Sequence, residues 1–333
     1  MIAGRIAVGL DIGGTKLLAV ALDPDGGVVA ERKVATPAAG PEFVDALVAA
    51  VVEVAGRCPA TVGVGIPGMV DGTGVLRSSP HQPGLVGLAI AGSLGARLPG
   101  AQVWVGNDAT CAAWAEHVGG AGVGIDDLVM VTLGTGIGGG IIAGGRLVEG
   151  AHRYAGEIGH MVVDTHGPPC PCGQRGCWER MASGGGLGRL GREWAVAGRA
   201  PSIVARAGGD PEAVRGEHVT ASAAAGEGEA VALMAEFAWW LALGLASLTN
   251  VLDPGVVVIG GGLIAAGEVL MAPARRAFAS LVEGHRHRPG LALRAAALGE
   301  RSGAIGAGLI ARRDADGRAE APRKSPGWPV TVH

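Results

Sequence analysis

The sequence predicts a two-lobed α/β protein, and three observations carry that expectation. A chain of 333 residues is long enough for two domains of ordinary size, each with its own core. Runs of strand pattern alternate with runs of helical period along most of it, which means helices packed on a mixed sheet. Two glycine-rich turns, "LDIGGTK" and "LGTGIGGG", each open a stretch of this alternation. A duplicated layout follows, in which each lobe presents a phosphate-gripping turn, as in a kinase or an ATPase.

The elements are expected in this order. Residues 1–107 form a small lobe: three strands as far as Val34, a helix over 42–56, the strand "TVGVGIPG", a long loop, a helix and the strand "AQVWVGN". A large lobe over 108–301 begins with the helix "ATCAAWAEHVG", then the strand "DLVMVTLG", a glycine hairpin, an irregular Cys/His segment over 157–179, several helices and the strand "GVVVIGG". The apolar segment "GAIGAGLIARR" reads as a closing helix near 302–313 that packs back on the small lobe. Residues 314–333, polar and punctuated by Pro and Gly, read as a disordered tail.

Composition narrows the partners. The chain is 48% hydrophobic and 17% charged, below the ~25% charge of ordinary soluble chains, which indicates a well-buried globular protein. A formal net charge of -3 and the absence of a basic cluster before the first strand argue against nucleic acid. The opening "MIAGRIAVGLDIGG" passes straight into strand pattern, so a cytoplasmic location is expected rather than export. "FAWWLALGLASLTNVLDPGVVVIGGG" is apolar enough to suggest a membrane span, but Asn250, Asp253 and Pro254 interrupt it. A buried helix ending at Asp-Pro-Gly, followed by a core strand, accounts for it.

Gly134, Gly136 and Gly139 fall in the G-x-G-x-x-G spacing of a dinucleotide-binding turn. That spacing has physical meaning only where a helix follows, because the pyrophosphate rests on the helix's first amides. Here "GIIAGGRLVEG" follows, which has strand pattern, so a nicotinamide enzyme is not expected. The turn reads instead as a hairpin whose Thr135 and Gly136 amides face phosphate oxygens. Gly13, Gly14 and Thr15 read the same way, with Asp11 at the end of the first strand suited to holding Mg²⁺ through water. G-x-x-x-x-G-K-[ST] occurs nowhere in the chain, which excludes a Walker-type loop.

Cys170, Cys172 and Cys177 lie in one short loop with His160 just upstream, a set suited to a tetrahedral Cys3His zinc site. Reduced structural thiols or a disulfide are the alternatives, and His152 and His166 are rival ligands. Cys58 and Cys111 sit in apolar, helical patterns and read as core residues. A zinc with four protein ligands has no open position, so it would fix the loop and with it Glu157 and Glu179. Paired carboxylates near a histidine suit sugar hydroxyls, since each accepts several hydrogen bonds; solvated loop charges are the alternative. Asn107 and Asp108 stand where a strand meets a helix. Either they cap the helix, or Asp108 takes a proton from an attacking hydroxyl while Asn107 orients the acceptor, and both roles can be divided between them.

Together "LDIGGTK", "GIPGMVD", "VGNDATCAAWAE", "LGTGIGGG", "GAHRYAGEIGHMVVD", "CPCGQRGCWERMASG" and "VVVIGGG" closely resemble the ROK family of sugar kinases, its bacterial glucokinases above all, from about residue 4 to 311. The resemblance implies a two-lobed actin-like, hexokinase-like (ribonuclease H-like) ATPase fold with a zinc-bound loop and an active site in the cleft. It implies ATP-dependent phosphorylation of glucose, or of fructose, mannose or an N-acetyl-hexosamine, with polyphosphate as a possible donor. Asp108 would be the general base. Gly68, Asn107, Glu157, His160 and Glu179 would contact the sugar, with His160 also on zinc beside Cys170, Cys172 and Cys177. Asp11, Gly13, Gly14, Thr15, Lys16, Thr135, Gly136, Gly261 and Gly262 would hold ATP with Mg²⁺. A homodimer or homotetramer is implied. The family's sugar-sensing repressors carry a helix-turn-helix before the first strand, where only a few residues stand here. Two departures fall beside the expected sugar pocket: Gly106 replaces a common acidic residue before Asn-Asp, and "SPHQPGLVG" replaces "SPN" with a following Trp.

Overall fold

The structure is a computed structural model that describes residues 6–40, 42–80, 82–288 and 290–317. The tail expected after residue 313 lies, beyond residue 317, outside the described residues; its first residues continue the last helix. In chain order the elements are β1 Ala7–Ile12, β2 Lys16–Leu22, β3 Val28–Ala35, α1 Glu42–Ala55, β4 Thr61–Ile66, β5 Met69–Val70, β6 Leu76–Ser78, α2 Ile90–Arg97, β7 Gln102–Asn107 and α3 Asp108–Gly119. Then come β8 Leu128–Leu133, β9 Ile137–Ala143, β10 Arg146–Leu147, α4 Trp178–Ala182, α5 Gly184–Val196, α6 Pro201–Arg206, α7 Gly216–Ala224 and α8 Gly228–Leu252. β11 Val256–Gly260, α9 Glu268–Leu281, β12 Ala292–Ala295 and α10 Ser302–Ala315 close the chain.

Among the described residues these elements divide into two compact units, one lying within 6–130, 139–156 and 296–317, the other within 131–138 and 157–295. The grouping puts α3 and the segment 139–156 with the first unit, on the other side of the boundary read at 107/108. α3 belongs there because α10 packs along it and both serve the same sheet.

In the first unit the sheet order is β3-β2-β1-β4-β7, with β1 antiparallel to β2 and parallel to β4, and β4 parallel to β7. β4 is buried along its whole length and reads as a continuous apolar run, as a strand covered on both faces must. One face carries α1 and α2 over a core of Phe43, Leu47, Val51, Ile90 and Leu94. α10 packs on β1 and β4. Gly9 and Gly63 make that approach possible: a Cβ on them would lie 1.8 Å from the Ala304 carbonyl oxygen and 1.9 Å from that of Ala307. Buried Glu116 of α3 accepts backbone hydrogen bonds from Ala297 and Leu298, tying the start of the C-terminal segment to α3.

The other sheet is ordered β10-β9-β8-β11-β12, with β11 and β12 parallel. In the second unit α8 packs against α9, α7 and α4. α8 is the helix expected from the long apolar run, ending at Asp253 in a left-handed conformation before Pro254. By length and composition alone it could cross a membrane, yet Leu233, Phe237, Leu241 and Leu245 are buried within the protein. Two short hairpin strands, β5 and β6, interrupt the stretch read as one long loop. Cys111 is buried as expected, but Cys58 is exposed in the connection from α1 to β4 and is not a core residue.

Candidate active site

In the first unit the site is built at two strand ends. β7 ends in Asn107 and α3 begins at Asp108 without an intervening loop. Asn107 is the helix cap: its Oδ1 accepts from the backbone N–H of Ala109 at 2.9 Å and of Thr110 at 3.1 Å. Its Nδ2 donates to the Gly68 carbonyl at 3.3 Å, bringing the "GIPGMVD" turn to the same junction. Gly68 has φ 125°, a backbone region that a side chain there would strain. Capping therefore consumes the Asn107 oxygen, and a ligand of this residue must be an acceptor for Nδ2. Asp108 occupies the first helical position rather than the cap, so the two readings of the pair divide between its members.

Asp11 stands nearby, next to last in β1. Burial, and behind it the charge of Asp108, pushes its carboxyl up to about 8. A carboxylate so disfavoured is one that a divalent cation relieves, so the residue fits Mg²⁺. The turn beyond it is a tight hairpin in which the Gly13 N–H donates to the Lys16 carbonyl at 2.9 Å. This corrects one expectation, since the Gly13 amide is committed to the turn and is not a phosphate donor. Gly14, Thr15 and Lys16 are exposed on it.

In the second unit the turn of Gly134, Thr135 and Gly136 is followed by β9 and not by a helix, so the dinucleotide reading fails on structure as it did on pattern. The Gly134 carbonyl accepts from the Gly184 N–H at 2.8 Å, placing this turn at the start of α5. Gly261, at φ 84°, is packed so closely on β8 that a Cβ would lie 2.4 Å from the Leu133 carbonyl oxygen. Gly262 opens the short helical turn after it.

The second unit also holds the Cys/His cluster. One ligand atom from each of His160, Cys170, Cys172 and Cys177 lies within 4.8 Å of the others. The sulfurs of Cys172 and Cys177 are 3.6 Å apart, and Cys170 Sγ is 3.8 Å from His160 Nδ1. Tetrahedral zinc with bonds of about 2.0–2.3 Å needs ligand separations of roughly 3.4–3.8 Å, so the set fits the metal. Neither His152 nor His166 belongs to it; His166 Nδ1 lies 3.3 Å from the Thr165 hydroxyl. His160 shows its other nitrogen to Glu157, with Nε2 3.8 Å from Oε2. The Cys170 thiol donates to Glu179 Oε1 at 3.1 Å, and burial holds that thiol well above the ordinary cysteine range. Metal binding must displace its proton.

Glu179 has an anchor besides the cluster. Trp178 is fully buried, its ring filling the space where Gly244 of α8 lacks a side chain, and its Nε1 donates to the Trp240 carbonyl at 2.9 Å. Sequence reasoning missed this wedge, and it missed Gly303 of α10, where a Cβ would lie 2.6 Å from the Asp11 carboxyl carbon. It also missed Trp104, Glu149 and Arg153, which line a pocket in the first unit with Asn107. The signal for Trp104 was present: it stands two residues before Gly106 on one strand face, and its ring occupies the space of the missing side chain.

The profile of the ROK family matches residues 7–314. A glucokinase of Streptomyces coelicolor is 36% identical over 313 residues, covering 92% of this chain and 98% of its own. A ROK family glucokinase from Streptomyces griseus, crystallised in complex with glucose and AMPPNP, superposes with a TM-score of 0.80 at 37% identity, over 92% of this chain and 99% of that one. A ROK hexokinase from Thermus thermophilus superposes with a TM-score of 0.76 at 34% identity, over 94% and 99%. With a profile spanning nearly the whole length and relatives this similar along it, the chain belongs to the ROK family.

Proposed function

We propose that this chain phosphorylates glucose at its 6-hydroxyl with ATP as donor, giving glucose 6-phosphate and ADP. The observation that carries the reading is the Asn107–Asp108 junction. Capping fixes the asparagine and leaves an aspartate at the first helical position, beside Asp11, in a chain whose relatives include glucokinases.

Asp108 accepts the proton of the attacking hydroxyl as the γ-phosphoryl leaves in line. The transition state is loose, so positioning and charge neutralisation supply most of the rate. Asn107 Nδ2, the Gly68 turn, Glu157, His160 and Glu179 hold the other hydroxyls. Asp11, Gly14, Thr15, Lys16, Thr135, Gly136, Gly261 and Gly262 hold the nucleotide. Mg²⁺ carried by Asp11 through water would neutralise phosphate charge. Zinc on His160, Cys170, Cys172 and Cys177 would be closed to substrate and structural. A thiolate on zinc has no proton to give Glu179, so metal binding leaves both oxygens of that carboxylate as acceptors for sugar hydroxyls. A cytoplasmic homodimer or homotetramer completes the reading.

A coupled assay across glucose, mannose, fructose and N-acetyl-hexosamines, each with ATP, ADP and polyphosphate, tests it. Glucose with ATP is expected to give the highest kcat/KM. A higher value for another hexose or for polyphosphate would replace the assigned substrate or donor, and no sugar phosphorylation at all would remove the activity.

A further inference from the structure

Beside Asn107, the first unit holds a buried stack that the reaction as described does not use. Trp104 precedes Gly106 on β7, and its ring lies where a side chain at 106 would go: a Cβ there would be 2.2 Å from Cη2. The ring is buried, and its Nε1 has no hydrogen-bond partner among the described residues. The guanidinium of Arg153 covers it, 5.2 Å from a ring centroid. Arg153 is held in turn by Glu149, whose Oε1 accepts from Nε at 2.8 Å and from Nη2 at 2.6 Å. Glu149 Oε2 also lies 4.0 Å from Arg313 of α10, whose guanidinium covers Trp114 of α3 at 4.9 Å.

Arg153 is one of two non-glycine residues at positive φ among the described residues, at 65°. Side chains seldom adopt that conformation unless the surroundings impose it, and such positions gather at functional sites. Here the imposition is visible. The loop from 149 to 155 is closed by the Ala155 N–H donating to the Glu149 carbonyl at 3.1 Å, and the Glu149–Arg153 pair spans it. The same pocket is lined by Trp104, Gly106, Asn107, Glu149 and Arg153.

We infer that Arg153 is a positioning residue for acceptor binding. It pins the Trp104 ring beneath Gly106, and that ring fixes the peptide leading into Asn107 and so the direction of Asn107 Nδ2. Without the cover the ring can turn into the pocket, and the strand end relaxes by the width of the missing side chain. The sugar is affected and the nucleotide is not, since the residues assigned to ATP lie elsewhere in the chain. The inference rests on Asn107 being a sugar ligand.

The test is steady-state kinetics on the full-length, metal-replete chain, with Asn107→Ser as a control for that assignment. Arg153→Gly accepts the positive φ and removes only the side chain. It should raise the KM for glucose roughly 3- to 30-fold, the span of a desolvated cation–aromatic contact, while the KM for ATP stays within about twofold. Arg153→Lys, which keeps the cation and loses the fork to Glu149, should recover part of the loss. In a Trp104→Leu background Arg153→Gly should change the sugar KM no further, because the arginine acts through the ring. A sugar KM within twofold of the parent, an equal rise for ATP, or effects that multiply in the double variant would overturn the inference. If Arg153→Gly does not fold, Glu149→Gln is read against the same criteria. A raised KM in Asn107→Ser with none in Arg153→Gly places the fault in this inference; the reverse places it in the assignment of Asn107.

Discussion

The junction of β7 with α3 and the segment from Glu157 to Glu179 carry the two sets of groups proposed to bind the acceptor, and they are built by different means. At the junction the main restraint is local: Asn107 caps the helix that begins at the next residue, and a single hydrogen bond ties it to Gly68 on another element. The second segment has 23 positions by number and no strand in it. It holds a turn at Ile158–His160 and the Trp178 wedge, and its four candidate metal ligands spread over 18 positions from His160 to Cys177. Fixing a residue's backbone costs about 1–2 kcal/mol, which hydrogen bonds of one short loop do not offset, so the second segment needs a crosslink where the first does not. The junction is set by folding; on the proposed reading the loop is set by folding and metal together.

The largest expected effect breaks the chemistry of the first region without disturbing its architecture. Asp108→Asn keeps size and helix position. It should lower kcat by at least ~10²-fold with glucose binding and melting temperature nearly unchanged. Turnover within tenfold of the parent in a folded variant would remove Asp108 as base.

Next comes the crosslink of the second region. Elemental analysis should find one zinc per chain, and Cys172→Ala, at the exposed ligand, should release it and raise the KM for glucose more than that for ATP. Because Trp178 anchors Glu179 independently, hydrogen exchange on metal loss should rise most between 161 and 176 and least at 178–182 and at the β7–α3 junction. Uniform deprotection of the unit would show that the wedge anchors nothing. His160→Gln should mimic Cys172→Ala in both metal content and sugar KM, whereas His166→Gln should change neither. Loss of zinc in His166→Gln alone would rewrite the ligand set.

The same contrast governs what could be read from sequence. Asp11, Asn107, Asp108 and the four residues of the Cys/His cluster were legible as candidates because their placement is set by neighbours in the chain: a strand end, a cap position, a cysteine spacing. The hairpin nature of "LGTGIGGG" was legible from the strand pattern after it. What stayed hidden joins elements far apart in number. Gly303 makes room for Asp11 across 292 positions, and Trp178 lodges against Gly244. The Trp104–Arg153 stack bridges β7 and a loop after β10. No local period records such contacts. Cys58 failed for the converse reason: its apolar neighbours suggested a core helix, but α1 ends at Ala55 and leaves the thiol exposed in the connection.

A smaller effect separates the two regions by pH. Asp11 titrates at about 8 in the folded chain against 3.8 in the unfolded one, so the folded state holds the extra proton between these values. Stability of the metal-free protein then falls as pH rises from about 4, and the cost is complete above about 8. Asp11→Asn has no charge to bury. Its melting temperature should fall less than the parent's between pH 6 and 9 in EDTA, while Mg²⁺-dependent turnover is lost. Parallel profiles for the two proteins would show that the buried carboxyl contributes nothing to pH dependence.

The smallest effect distinguishes the two tasks of Asn107, which the junction performs with opposite ends of one amide. Oδ1 caps α3 and Nδ2 faces Gly68 and the assigned sugar position. Serine also caps helices well, so Asn107→Ser keeps an acceptor for the Ala109 and Thr110 amides and loses both Nδ2 donors. Asn107→Ala loses both functions. Chemical denaturation should therefore place the alanine variant about 1 kcal/mol below the parent and the serine variant within a few tenths of it. Their KM values for glucose should rise together, since alanine has no donor and the shorter serine hydroxyl, engaged at the cap, does not reach the position of Nδ2. If the alanine variant is as stable as the parent, α3 draws its stability from packing against α10 and not from the cap. If serine retains the parent's KM, the cap alone explains this asparagine, and the sugar contacts of the first region reduce to Asp108 and the Gly68 turn.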